Sequence, residues 1–318
     1  SPEHLPVIIG LEADRMRNLR LREEDLRPEM SVVWDEYDRG EDEPVTALDR
    51  EIWATAFQAH PYRHSVIGWR SDIENVPLPK LREFYDTYYW PDNATVTVTG
   101  AIQDADALLG EIKRQYGPIP RAPKPIPSVY TVEPPQTGPR RVTMKRPGDS
   151  EIVTVAFKAP HARHPDVPAL KVLCDLLADG QNCRFYQSLT AEDITLDVSA
   201  SMEATLDPSL LLISAEIAGK NSHEDVEDGI LEVLEDIIKD GVEHEEVMTS
   251  IGRLSAQAAF ARDGSAALAG TIAESIGVGD WTLYQNLEKE IRNVTADRVR
   301  AAAKRWLNED ACTIGWYV

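Results

Sequence analysis

Cysteine is scarce, with three in 318 residues: Cys174, Cys183 and Cys312. An odd number without regular spacing excludes a disulfide framework, and neither C-x-x-C nor Cys/His metal spacing occurs. These thiols read as small buried or half-buried groups. Glycine and proline, at 18 and 21, are too few for a fibrous or disordered chain. No apolar run approaches the ~20 residues that cross a bilayer, so no membrane span is expected. Positive charge is in deficit, with 33 Lys and Arg against 54 Asp and Glu and a formal net charge of -21. Such a surface repels phosphate backbones, so no nucleic-acid partner is expected, although a locally basic cleft stays possible. The acidity reads first as a solubility property. No secretory leader is visible. The chain opens at Ser1 in mid-pattern, as SPEHLPVIIGLEADRM, and that start reads as a truncation.

Hydrophobic residues make up 42 % of the chain, enough to build real cores, and the length suits two ordinary domains or one large one. Helical spacing runs over 11–21 and from 22 to about 57, with an interruption at 40–44. The acidic Glu23, Glu24 and Asp25 suit the second helix's N-terminus. Helices are also expected over 78–89 and 105–116. Alternating, β-branched ATVTVTG (94–100) reads as a strand. Trp69, Tyr85, Tyr88, Tyr89 and Trp90 are expected to pack the first domain. Prolines crowd 117–139, giving an extended, semi-rigid connection. Beyond it, strands are expected over 141–145, 151–158, 196–202, 210–217 and 312–318. Helices are expected over 165–178, 182–189, 222–239, 243–262, 266–276, 281–292 and 295–306, with Ser222 and Thr295 as N-caps. Gly180 reads as a helix terminator. Paired strands separated by runs of helices favour an α+β fold. The expected division is a first domain over 1–120, a Pro-rich linker over 121–139 and a second domain over 140–318.

Chemistry-bearing residues concentrate at Glu29-Met30-Ser31-Val32-Val33-Trp34-Asp35-Glu36. Residues seven apart on a helix share a face, so Glu29 and Glu36 point one way and Asp35 another. Stacked carboxylates can set one oxygen on a metal while the other orients a neighbouring ligand. The plainer reading of such a pair is a solvated helix face. Of the seven histidines, none stands in H-x-x-E-H. His60 and His64 are four apart, but Pro61 and the strand-like residues after them argue for a loop. His161 and His164 flank a turn before Pro165.

The segment 29–36 resembles the stretch that follows an inverted zinc motif, H-x-x-E-H, in the M16 (pitrilysin/insulinase-like) metallopeptidases. There a downstream helix carries E-R-x-V-V-x-E-E, whose last glutamate is the third zinc ligand; laid on this sequence it is Glu36. Glu29 matches the first, supporting glutamate. Met30 and Asp35 replace the usual Arg and Glu without touching the ligand position. LEADRMRNL, HPYRHSVIGW, SDIENV and LREFYDTYYWPDNATVTVTG follow in family order. So do the linker after YGPIP, the stretch APHARHPDVPALKVLCDLLADGQNCRFYQSL, and VTADRVRAAAKRWL before a final strand. The resemblance covers essentially the whole chain.

The resemblance implies two similar α+β domains, each a mainly antiparallel sheet packed with helices. The first would be the zinc-site domain, truncated so that both zinc histidines and the general-base glutamate lie upstream of Ser1. It implies a Zn2+ endopeptidase half that cleaves peptides or unfolded segments. Two histidines and Glu36 would hold the metal, leaving a position for water. The peptide would be enclosed between this half and a homologous partner half or subunit, as a homo- or heterodimer or within one longer chain, and would add a strand to a sheet edge. Residues 1–318 alone are expected to be inactive and to hold zinc poorly. The family's substrate-gripping Arg and Tyr belong to the other half, and 202–211 here contains neither. Arg184 and Tyr186 match an R-x-Y that reads as packing. The alternative is a non-catalytic M16 subunit acting as scaffold or substrate-gripping partner. An unrelated acidic binding domain is a third.

Overall fold

A computed structural model describes residues 2–318. Its helices begin with α1 (Leu5–Asn18), α2 (Glu23–Asp42), α3 (Pro44–Ala56), α4 (Arg70–Asn75), α5 (Leu78–Tyr88) and α6 (Ala105–Tyr116). After a stretch without regular structure come β1 (Arg140–Met144), β2 (Ile152–Ala159), α7 (Val167–Ala178), a π-type turn (Tyr186–Thr190), β3 (Thr195–Met202) and β4 (Ser209–Ile217). The chain closes with α8 (His223–Asp240), α9 (His244–Phe260), α10 (Ser265–Gly277), α11 (Leu283–Ile291), α12 (Ala296–Trp306) and β5 (Cys312–Tyr317). The mixture is α+β.

The chain divides into two units. Unit 1 holds the residues up to Arg39, Val66–Tyr130 and Gly264–Gly270; unit 2 holds Gly40–Ser65, Thr131–Asp263 and Thr271–Val318. Residues 40–65, which precede the Pro-rich stretch in sequence, therefore fold with the second unit.

Unit 1 is helical. Ile9 and Ala13 of α1, Ile73 of α4, Tyr85 of α5 and Trp90 are buried in it. Tyr85 donates its hydroxyl to the Arg15 carbonyl and accepts from the Leu19 amide, so one aromatic ring ties α5 to the end of α1. The Arg17 guanidinium lies over the Trp90 ring, 3.7 Å from its centroid, and donates to Asp86 and to the Tyr89 carbonyl. Of the aromatics expected to pack this unit, Tyr85 and Trp90 do, whereas Trp69 and Tyr89 are 41 % and 49 % exposed. The strand expected over 94–100 does not form. A strand exists only through its ladder, and among the described residues every paired strand belongs to unit 2.

Unit 2 is built on a five-stranded sheet of order β1-β5-β2-β4-β3. β1 pairs parallel with β5, and the remaining pairs are antiparallel. The central β2 is covered on both faces, and its side chains alternate accordingly. Val153, Val155 and Phe157 enter the core shared with α7, α8, α9 and α12. Ile152 and Ala156 face Leu48, Ile52 and Ala56 of α3. The approach of α3 depends on Gly315 in β5, because a Cβ there would stand 2.6 Å from Ile52 Cδ1 and 3.0 Å from Leu48 Cδ1. Ser222 caps α8 in a reciprocal pair with Asp225, and Thr295 caps α12. Gly180, at φ 81°, follows the end of α7 in the left-handed region that favours glycine.

The helix expected over 182–189 forms from Arg184, and its remainder, Tyr186–Thr190, is wound as a π-helix. The wide turn carries Leu189 to within 2.6 Å of where a Cβ on Gly229 of α8 would be. Leu189 is buried there, against a glycine distant in sequence. No helix among the described residues is long and apolar enough to cross a membrane.

Candidate functional site

Helix α2 carries the residues that the sequence singles out. Its first turn is acidic, which complements the positive end of the helix dipole. Pro28 lies inside the helix and removes one backbone donor. Ser31 Oγ donates to the Pro28 carbonyl at 2.7 Å. Several charges on this stretch are neutralised. Arg22 pairs with Glu24 and Asp25, and Arg70 pairs with Asp38.

Glu29 and Glu36 lie seven residues apart on α2, which puts both on one face. Both are exposed, and neither has a hydrogen bond or ion pair among the described residues. Asp35 is exposed too. A zinc site takes three or four protein donors in tetrahedral array. Among the described residues no group of three His, Cys, Asp or Glu side chains could hold a metal ion. The described residues around Glu36 therefore do not make a zinc site by themselves.

Four of the seven histidines, His60, His161, His164 and His223, have partners elsewhere. His60 is 4 % exposed, and its Nδ1 accepts from the Tyr62 amide. Its Nε2 lies 3.3 Å from Asp207 Oδ2 without making a hydrogen bond. His64 is exposed just after the 3-10 turn Pro61–Arg63, so the pair does not converge on one helix face. His161 and His164 each accept a nearby amide through Nδ1, and His164 stands edge-on to Trp306. Burial, helped by Arg163, holds the His161 pKa below the ordinary histidine value. His223 Nε2 lies 2.8 Å from the Tyr317 carbonyl oxygen.

Arg184 is held by Glu246 through two contacts of 2.5 and 2.8 Å. All three cysteines are buried and free. Burial pushes Cys174 up to about 12 and Cys312 up to about 11. Thiols so disfavoured as thiolates are poor nucleophiles and poor metal ligands.

Three features of unit 2 escape a reading of the sequence. Glu227 of α8 accepts from Arg141 Nη1 at 2.8 Å and from Trp316 Nε1 at 3.0 Å, tying the helix to β1 and β5. Lys158 places its ammonium 3.2 Å from the Phe57 ring centroid, and burial lowers its pKa to about 8. A cavity of about 220 Å3 opens among α7, α9, α10 and α11. Ala162, Ala204, Ala258 and Ala261 line it. Small side chains leave room between helices.

Residues 75–253, more than half the chain, match the sequence profile of a family domain described as "Peptidase M16 inactive domain". The chain belongs to the M16 peptidase family. A zinc protease of Helicobacter pylori, PqqE, is 32 % identical over 57 % of this chain and 41 % of its own length. The chain thus spans under half of that relative. An uncharacterized zinc protease of Mycobacterium bovis, Mb2805c, is 24 % identical over 96 % of this chain and 70 % of its own length. The crystal structure of a protease from Helicobacter pylori superposes with a TM-score of 0.94, at 24 % identity, over 100 % of this chain and 78 % of that one. That likeness establishes the fold. Glu29 and Glu36 lie outside the stretch that matches the inactive-domain profile.

Proposed function

We propose that this M16 chain is part of a zinc endopeptidase half, in which Glu36 supplies the carboxylate ligand and Glu29 supports it. The histidines and the general-base glutamate come from protein outside these 318 residues. The reading is supported by one observation: the seven-residue spacing sets these two carboxylates together on one open face of α2, where neither has a hydrogen bond or ion pair among the described residues; exposure alone does not single them out, since Glu23 and Asp35 of the same helix are exposed and without an ion pair as well. A carboxylate meant to meet a metal must stay available. Relatives named zinc proteases align along nearly the whole chain, including this helix. The substrate is a peptide or unfolded segment, and a homologous half or subunit encloses it.

No catalytic step is assigned to residues of this chain, because Glu36 alone is not a metal site. Residues 1–318 are accordingly expected to hold no stoichiometric zinc and to show negligible peptidase activity. Robust chelator-sensitive cleavage by the 318-residue chain would contradict this. A second reading, a non-catalytic M16 subunit serving as scaffold or substrate-gripping partner, is favoured by the match of more than half the chain to the inactive-domain profile. A protein that contains this chain and binds no zinc at any pH supporting its fold would decide for that reading.

A further inference from the structure

The cavity in unit 2 has a size and charge arrangement that point to a ligand. Its volume is about 220 Å3, and its walls include Leu254, Val278, Leu287 and Ile291. An engineered apolar cavity of about 150 Å3 takes up benzene, so this one has room for a single branched or aromatic side chain. Four charged side chains also line it. Two of them satisfy each other: Arg262 pairs with Glu288 at 2.6 Å and donates to the Tyr284 carbonyl, and Glu288 is held further by Arg292. The other two, Lys171 of α7 and Glu274 of α10, have no hydrogen bond or ion pair among the described residues. Lys171 is half-buried and Glu274 exposed. One unpaired cation and one unpaired anion beside an apolar hole suit a ligand that is neutral overall and carries both charges on a compact apolar body. Ligand sites are commonly apolar with a few convergent polar groups.

We propose that this cavity binds a free apolar α-amino acid, with its side chain among Leu254, Val278, Leu287 and Ile291, its carboxylate on Lys171 and its ammonium on Glu274. The site lies wholly within unit 2 and does not depend on the metal reading of α2. Binding adds no covalent step. The unmatched charges exclude purely apolar ligands as the preferred occupant, because such ligands would partly desolvate Lys171 without a partner for it.

Titration of the 318-residue chain with L-leucine and L-phenylalanine, followed by calorimetry and amide NMR, tests this. Saturable binding is expected, with shifts centred on α9 to α11. Lys171→Met and Glu274→Gln, both on residues with surface access, are each expected to weaken it about tenfold, as loss of one charge-assisted hydrogen bond would. Ala258→Leu, which fills the cavity, is expected to abolish it while leaving both charges in place. N-acetyl-leucine and leucinamide each lack one charge and imitate a peptide's C- and N-terminal residue; both are expected to bind about tenfold more weakly than leucine. If either binds as tightly as leucine, the site takes a peptide end and the proposal fails. It fails equally if benzene binds and leucine does not, or if leucine shifts residues away from the cavity.

Discussion

Asp49 on α3 is a carboxylate placed where it is costly. Its Oδ1 is buried without a hydrogen-bond partner. Burial first, and the nearby Glu203 second, push its pKa from 3.8 up to about 6. Below pH 3.8 the group is protonated in folded and unfolded chains alike and carries no penalty. As pH rises from 3.8 to 6, the unfolded chain ionises Asp49 while the folded chain still holds the proton, so stability falls. Above pH 6 the penalty is complete. With 1.36 kcal/mol per pKa unit, a shift from 3.8 to about 6 corresponds to about 3 kcal/mol. Asp49→Asn keeps the shape and removes the titration. It is expected to stabilise unit 2 by about 1.5 kcal/mol at pH 5 and about 3 kcal/mol at pH 8. Urea denaturation of both proteins across that range, read by tryptophan fluorescence, gives the difference at each pH. Glu203→Gln, which removes only the second cause, is expected to give a smaller gain with the same sign. A variant no more stable than the parent at pH 8, or a difference that stays flat with pH, would refute the placement of this carboxylate.

Gly315→Ala forces a methyl against Ile52 and Leu48 and is expected to cost about 1–3 kcal/mol by overpacking. Ile52→Val removes the atom at 2.6 Å, so the double variant is expected to lose less than the sum of the singles in a denaturation cycle. Glu227→Ala strands the Trp316 donor, whereas Arg141, 55 % exposed, can return to water. A loss of about 1–3 kcal/mol is expected by the same assay. The thiols of Cys174 and Cys312, held near 12 and 11 by burial, are expected to resist a disulfide reagent at pH 8 until the chain unfolds, when all three cysteines react.

Much of the fold was legible because its signals are local. Ser222 and Thr295 stand at helix starts because a short side-chain oxygen satisfies an amide three residues on. Pro44 opens α3 because the first turn needs no donor there. The apolar runs of β2 and β4 are strands buried on both faces. What failed depended on partners distant in sequence. The β-branched alternation of 94–100 carries strand propensity but finds no ladder, and the π-type winding of 186–190, which packs Leu189 against Gly229, has no local signal. Exposure of Trp69 and Tyr89 was equally invisible, since an aromatic residue states what it could pack but not what lies beside it. For the site, helical spacing alone placed Glu29 and Glu36 together on α2. Nothing in the spacing could reveal whether the remaining metal donors stand near them. The α7–α11 cavity arises from five chain segments, distant in sequence, that meet only in the fold, so no one segment announces it.

The central claim is that Glu36 is a zinc ligand, and metal content measures it most directly. If the proposed histidine-bearing segment is joined to this chain, elemental analysis of that protein after dialysis is expected to find about one zinc per molecule, and Glu36→Gln is expected to lose it together with peptide cleavage while the fold persists. Full zinc occupancy and unaltered cleavage in that variant would contradict the account.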